Sequence, residues 1–178
     1  MFNEGVADDQ LTPRASLVRM LQDAHAGELA AAYAYRAHWR SLRRPAERDE
    51  VRRIEESEWH HRAEVRSILD ELGARPRRRR EVAMSLTGRL LGSLCFVTGW
   101  FGPMYAAGRL EGMNVDQYLA ARDIAARLGL PCVDRLEAMR VEEDRHERWF
   151  GDRVRHHRLL PLARRVLRWA PPEPAVGA

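Results

Sequence analysis

The chain contains no lysine. All 30 of its basic residues are arginine, set against 26 acids, so the formal charge is +4 and the pI about 9.7. A surface of that kind suits anionic lipid, nucleic acid or an acidic partner, and arginine drift in a GC-rich genome accounts for much of it. Cysteine is scarce as well: Cys95 and Cys132 form neither a CxxC pair nor a disulfide framework. A rubredoxin-type iron centre needs four thiolates, so electrons for any redox chemistry must come from outside the chain. The opening MFNEGVADDQLTPR has acids where a secretory signal needs a basic and then an apolar run, which points to the cytoplasm. No segment alternates apolar and polar residues with a period of two, so strands are not expected.

What the chain does have is helical periodicity. Hydrophobic residues make up 45% and charged residues 31%, the balance of a globular chain rather than a disordered or multi-span one, and the length suits one domain, 1–178. Thr12 and Pro13, as N-cap and first-turn residue, open a first helix running to about Ser41. Pro45 starts a second, ending near Gly73. Residues 74–80, with Pro76 and four consecutive arginines, read as a basic connector. A third helix is expected over about 82–128 with a break at Gly102-Pro103, and a fourth from after Gly129-Leu130-Pro131 to about His157. The core thus spans about 13–157, and 159–169 forms a short amphipathic helix stopped by Pro171-Pro172.

Two Glu-x-x-His motifs, Glu58 with His61 and Glu143 with His146, each follow a lone glutamate, Glu28 and Glu111. The interval from Glu28 to Glu111 nearly matches that from Glu58 to Glu143. The chain therefore reads as a degenerate repeat of two helical hairpins, each supplying Glu and then Glu-x-x-His. Residues i and i+3 share a helix face, so a carboxylate and an imidazole at that spacing can reach one metal, the carboxylate also spanning to a second. An all-α, ferritin-like four-helix bundle builds a di-metal carboxylate site from this set in this order.

A single motif of this kind is usually a solvated pair. Here Glu58 and His61 interrupt an apolar seam of Val51, Ile54, Val65, Ile68 and Leu72, and Glu143 and His146 interrupt another of Leu136, Met139 and Phe150. Acids and imidazoles buried there require compensation by a cation, a metal or each other. The expected roles are Glu58 and Glu143 as bridging carboxylates, Glu28 and Glu111 as terminal ones, and His61 and His146 as one imidazole per metal. Oxygen ligands with imidazole favour two iron ions, with manganese the runner-up. Dioxygen is the expected cosubstrate and an external reductant the electron source.

Neighbouring residues carry further expectations. His25, one turn before Glu28 on the same face, is a candidate to hydrogen-bond a ligand carboxylate, with a plain buried histidine the alternative. Tyr118, two turns after Glu111, is a candidate to gate oxygen, hold substrate or carry an electron, as against a simple core tyrosine. Tyr35, two turns after Glu28, reads the same way. Residues 90–108 carry no charge, but four glycines and Pro103 argue against a spanning helix of that length. Two readings remain for this run. One is a buried central helix. The other is a greasy wall of Leu94, Val97, Phe101 and Met104 that dips into a bilayer, with Trp100 and Phe101 on lipid, and passes an apolar substrate to the metals. The terminal helix, with Leu159, Leu160, Leu162, Val166, Leu167 and Trp169 among arginines, would hold that surface on anionic lipid.

HAGE at 25–28, EWHH at 58–61, the glycine-rich apolar stretch before Glu111 with Tyr118 following, and EDRH at 143–146 resemble the demethoxyubiquinone hydroxylases over about 17–169. The resemblance implies a peripheral membrane di-iron monooxygenase, an oxidoreductase of ubiquinone biosynthesis that hydroxylates a quinone ring with dioxygen and reducing equivalents. Arg109-Leu110-Glu111 supplies one acid where that family usually carries a pair. The expected partners are a hydrophobic quinone-like molecule, the anionic inner face of the cell membrane, a reductase or lipid-carrier protein, and a second copy of the chain in a homo-oligomer. Nucleic acid is not expected. The rival with the same six ligands is a rubrerythrin- or bacterioferritin-like peroxidase or ferroxidase, and a metal-free basic helical binding module is a third class.

Overall fold

A computed structural model describes residues 12–173, and the acidic N-terminal segment lies outside them. Among these residues six helices follow one another: α1 (Pro13–Ser41), α2 (Pro45–Glu71), α3 (Arg78–Leu94), α4 (Phe101–Arg127), α5 (Val133–Val154) and α6 (Leu160–Leu167). Among the described residues there is no strand. At the start of α1, Thr12 Oγ1 accepts a hydrogen bond from the Ala15 N–H at 3.3 Å, and Pro13 occupies a position whose missing N–H costs nothing. Gly73 and Gly129 end α2 and α4 with φ of 72° and 63°. That left-handed turn lets the Ala74 and Leu130 N–H groups reach back to the Leu69 and Ala125 carbonyls, closing both helices.

The long third helix expected from the sequence is two helices. Residues 95–100 turn between them, with Gly99 at φ 73°. Pro103 breaks nothing, because it sits in the first turn of α4, where backbone N–H groups have no helical acceptor to lose. The arginine run is not a free connector either. α3 begins at Arg78, and Arg77 and Arg80 reach back to Asp23 of α1 at 2.6 and 3.1 Å. α5 ends at Val154 rather than near His157. α6 stops at Leu167, ahead of the proline pair, with Arg168 left-handed at φ 55°.

α1 pairs with α2 and α4 with α5, while α1 also meets α4 and α2 meets α5, which closes a four-helix bundle; α3 packs on α1. Two apolar clusters fill the bundle, one around Leu17, Leu21, Val65, Ile68, Ala125 and Leu136, the other around Val51, Ile54, Met104, Tyr105, Phe150 and Trp169. The Glu and His positions of all four bundle helices fall between these two clusters in sequence. An ionisable layer is thereby held between apolar ends.

α3 approaches α1 through glycine. A β-carbon at Gly88 would lie 2.3 Å from the Ala30 carbonyl oxygen, and one at Gly92 would lie 2.7 Å from Ala37 Cβ. With its small residues turned inward, α3 leaves Val82, Leu86, Leu90 and Leu94 exposed, and Phe96 and Val97 in the following turn are exposed too. The uncharged run is therefore divided: its first half lies on the surface, and a buried helix describes only its second half, with Met104 and Tyr105 in the core. Trp100 and Phe101, expected on lipid, are partly buried. Trp100 donates its indole N–H to Glu47 at 2.8 Å, and Phe101 stacks on His157 with centroids 4.2 Å apart. Trp169, expected on the outer side of the terminal helix, is a core residue: its carbonyl accepts from the Tyr105 hydroxyl at 2.7 Å and its indole donates to Glu147 at 2.8 Å. No helix among the described residues is long and apolar enough to cross a membrane.

The glycine contact gives a paired test. Gly88→Ala should destabilise the protein by about 1–3 kcal/mol, because the added methyl group meets backbone. Gly27→Ala, also helical but with open space where the methyl group would go, should stabilise it by about 0.5–1 kcal/mol. Urea midpoints of the two variants should move in opposite directions; a shared direction would mean that α3 does not sit on α1 as described.

Candidate metal centre

All six expected ligands come together in the buried layer. Glu28, Glu58, His61, Glu111, Glu143 and His146 are each at most 4% exposed. Two sets of four form, Glu28, Glu58, His61 and Glu143, and Glu58, Glu111, Glu143 and His146, each offering ligand atoms within 4.8 Å of one another. Glu58 and Glu143 belong to both sets. Helix geometry explains this: α2 and α5 each place Glu and His three residues apart, and α1 and α4 each present one glutamate on the facing side.

The layer is only partly satisfied by protein partners. His61 lies with Nδ1 3.0 Å from Glu143 Oε1 and Nε2 3.1 Å from Glu142 Oε2. The Tyr35 hydroxyl donates to Glu111 Oε1, and the Tyr118 hydroxyl donates to Glu28 Oε1. Both oxygens of Glu58, the Oε2 atoms of Glu28, Glu111 and Glu143, and Nδ1 of His146 are buried with no hydrogen-bond partner. So many orphaned acceptors in one place are foreign to an ordinary core, and they are the donor set that a pair of hard cations would use.

Electrostatics follow from the burial. Loss of solvent, reinforced by the charges of Glu143 and Glu28, pushes Glu58 well above the usual carboxyl range, and Glu111 rises for the same reasons, with burial first and Glu143 next. Burial alone would lower His61, but its hydrogen bonds to Glu142 and Glu143 win and raise it to about 10. His146 is lowered, chiefly by burial. Burial and then the neighbouring acids push Tyr35 and Tyr118 well above the ordinary phenol value, which keeps both hydroxyls protonated as donors.

The two tyrosines exchange helices. Tyr35 lies two turns past Glu28 on α1 yet binds Glu111 of α4, and Tyr118 lies two turns past Glu111 yet binds Glu28. Sequence spacing placed each tyrosine on the correct face; only packing decided which carboxylate it would reach. His25 faces elsewhere. Its Nδ1 lies 2.8 Å from Glu81 Oε1 on α3, and Glu81 also pairs with Arg62 of α2. The expectation that His25 supports a site carboxylate does not match this partner, because α3 covers that side of α1. Glu142, which holds His61, was missed, since an acid next to Glu143 in sequence points about 100° away on an ideal helix. His38, buried on α1, was missed as well, having no motif around it.

An apolar cavity of about 400 Å³ lies among α1, α3 and α4, with Tyr35, Leu91, Leu94, Pro103, Ala107 and Leu110 in its wall. Tyr35 connects that wall to Glu111. Of the side chains expected to form such a wall, Leu94 does; Val97 is exposed on the surface, Met104 lies in the core and Phe101 stacks on His157.

A family model described as ubiquinone biosynthesis protein COQ7 matches residues 15–114, a stretch that takes in Glu28, Glu58, His61 and Glu111. Glu143, His146 and Tyr118 lie beyond it, and their assignment rests on geometry. No curated protein and no solved structure matches the chain.

The buried layer makes stability depend on pH in a stated direction. In metal-free protein, Glu58, Glu111 and His61 all bind protons more tightly folded than unfolded. Each contributes stability at low pH that is lost as pH rises through its folded value; for His61 the loss runs from 6.5 toward about 10. Urea midpoints of chelator-treated protein should therefore fall over that interval, and His61→Gln should flatten the decline. A midpoint that climbs with pH there would contradict the electrostatics described.

Proposed function

The chain belongs to the COQ7 family of ubiquinone biosynthesis proteins, the demethoxyubiquinone hydroxylases, and from that premise we propose that it is a di-iron, dioxygen-dependent monooxygenase acting on a hydrophobic quinone-like substrate. The observation that carries the reading is the apolar cavity whose wall includes Tyr35, the residue hydrogen-bonded to Glu111. An apolar ring bound there would lie against Tyr35, whose hydroxyl engages one of the carboxylates. Glu58 and Glu143, common to both ligand sets, would bridge two irons; Glu28 with His61, and Glu111 with His146, would complete one ion each. Four carboxylates balance the charge of two divalent ions, and the orphaned oxygens fit that load. The chemistry supplied there by bound iron is the activation of dioxygen, with electrons from a reductant outside the chain.

The protein's own groups have separate tasks. Tyr35 and Tyr118 hold Glu111 and Glu28 from opposite hairpins, each with one oxygen engaged and the other turned free. Glu142 orients the His61 ring. The two apolar clusters exclude water on either side of the layer.

The exposed apolar face belongs to the same reading. Leu86, Leu90, Phe96 and Val97, with Leu162 and Val166 of α6 between arginines, suit peripheral contact with the anionic inner face of the cell membrane, from which a lipid-soluble substrate enters the cavity. Leu90→Glu combined with Val97→Glu alters only exposed positions and should keep the fold, while removing roughly 1.5–3 kcal/mol of apolar contact per side chain. Wild type should float with anionic vesicles and the double variant should not. Equal flotation would remove the membrane from the reading.

The metal and the reaction are tested together. Iron-loaded wild type should hold two metals per chain; Glu58→Ala should lose most of both, and Glu28→Ala should retain about one. Single-turnover oxidation of the diferrous protein should be altered by a demethoxy-quinone analogue and yield its hydroxylated product. Oxidation indifferent to the quinone, with no such product and with repeated uptake of iron into a mineral, would replace the hydroxylase by a ferroxidase.

A further inference from the structure

A cavity of about 780 Å³ lies where three connections of the chain converge: the turn between α1 and α2, the 95–100 turn, and the residues that follow α5. It adjoins the apolar cavity, the two sharing His38 and Cys95 in their walls, but most of its lining is of another kind. Arg43 and Arg44 come from the first connection, Arg153 from the last turn of α5, and His156 and His157 from the segment after it. Glu47 is the one acid in the wall.

That acid does not neutralise the arginines. Glu47 is 5% exposed and both of its oxygens are engaged, Oε1 by Arg44 at 3.1 Å and Oε2 by the Trp100 indole N–H at 2.8 Å. One guanidinium of three is thereby paired. Arg43 and Arg153 are exposed and have no carboxylate partner among the described residues: Arg153 lies over the Trp149 ring, 4.6 Å from its centroid, and the neighbouring Asp152 is held by Arg155 at 3.1 Å. His157 adds a fixed donor. Its ring stacks on Phe101, and its Nδ1 accepts the Leu159 N–H at 3.2 Å, so the ring proton resides on Nε2. Nε2 has no partner among the described residues, yet it is not one of the buried unpaired atoms, so it reaches open space. Positive groups gathered on one concave wall repel each other, and an anion between them removes that cost.

We propose that this cavity binds a phosphate group, held by Arg43 and Arg153 and by a hydrogen bond donated from His157 Nε2. Two unpaired guanidinium charges match a phosphate monoester, which carries about −1.5 to −2 near pH 7, and the planar fork of arginine fits neighbouring phosphate oxygens. Two sources carry that chemistry. One is a soluble phosphate compound; the other is the headgroup of a lipid, since Phe96 in the same wall is 59% exposed and continues into the apolar surface of α3. The site lies outside the carboxylate layer and does not depend on the hydroxylase reading.

The test uses full-length protein treated with chelator, so that phosphate has no iron to ligate, at an ionic strength held constant with potassium chloride. Inorganic phosphate, glycerol 3-phosphate and dihexanoyl phosphatidylglycerol below its micelle concentration are titrated by calorimetry. Wild type should bind at least one of them saturably with one site per chain. Affinity for the two soluble compounds marks a soluble ligand, and affinity for the lipid alone marks a headgroup. Arg43→Ser combined with Arg153→Ser should weaken binding about tenfold or more, and Arg43→Lys with Arg153→Lys, which keeps the charge, should recover part of it. Arg78→Ser with Arg79→Ser removes the same charge from the exposed arginine run of α3 and should change affinity less than about twofold. Absence of saturable binding to all three probes would overturn the assignment. So would equal losses in the two serine pairs, which would reduce the effect to net charge, or binding indifferent to Arg43 and Arg153.

Discussion

Four glutamates buried in one layer set the terms for the rest of this molecule. Each carboxylate has left water, and each raises the cost of ionising its neighbours, which is why Glu58 and Glu111 are pushed so far above their usual range. Such a layer persists only if the surrounding structure holds it. Two apolar clusters, one on each side, do this by burying long aliphatic and aromatic side chains from all four bundle helices. The stability of the fold comes from its ends, and the chemistry occupies the layer that those ends enclose.

The crossed tyrosines are the second consequence. Because Tyr35 serves Glu111 and Tyr118 serves Glu28, neither hairpin satisfies its own carboxylate. The two halves of the repeat become interdependent, and a lone hairpin would leave its own acid, Glu28 or Glu111, without its tyrosine donor. This exchange also leaves one oxygen of each outer glutamate free, and with both oxygens of Glu58 it makes the unpaired set that gives the layer its ligand character. An ordinary core would have paired these atoms; the bundle leaves them open.

α3 adds an apolar cavity to the bundle. Its glycines bring it close enough to α1 that side chains on its flank, Leu91 and Leu94, form one wall of a cavity whose other walls are α1 and α4. The same close approach turns Leu86 and Leu90 outward. One packing choice thus produces both the apolar cavity and the external apolar face. Membership of the COQ7 family agrees with this arrangement.

Much of this was legible in the chain because helix geometry is local. Spacings of three and four residues place side chains on a face whatever the partner, so the all-α bundle, the Glu and Glu-x-x-His repeat and the burial of Glu58, His61, Glu143 and His146 could be read from position alone. The family resemblance was carried by the same local motifs. What lay between elements could not be read this way. Gly102-Pro103 looked like a break, but a proline in a first helical turn costs nothing, and the chain turned earlier, where Gly99 supplies a positive φ. His25 was on the correct helix and met Glu81, because α3 covers that side of α1. Trp169 carried the pattern of a surface helix but is folded into the core, where Tyr105 and Glu147 complete its polar groups. The sequence by itself determined which residues share a helix face, since that depends on a few consecutive backbone dihedrals. Only the tertiary structure decided which faces meet, which carboxylate each tyrosine serves and where His38 lies, since those contacts join residues far apart in the chain and depend on the packing of whole helices.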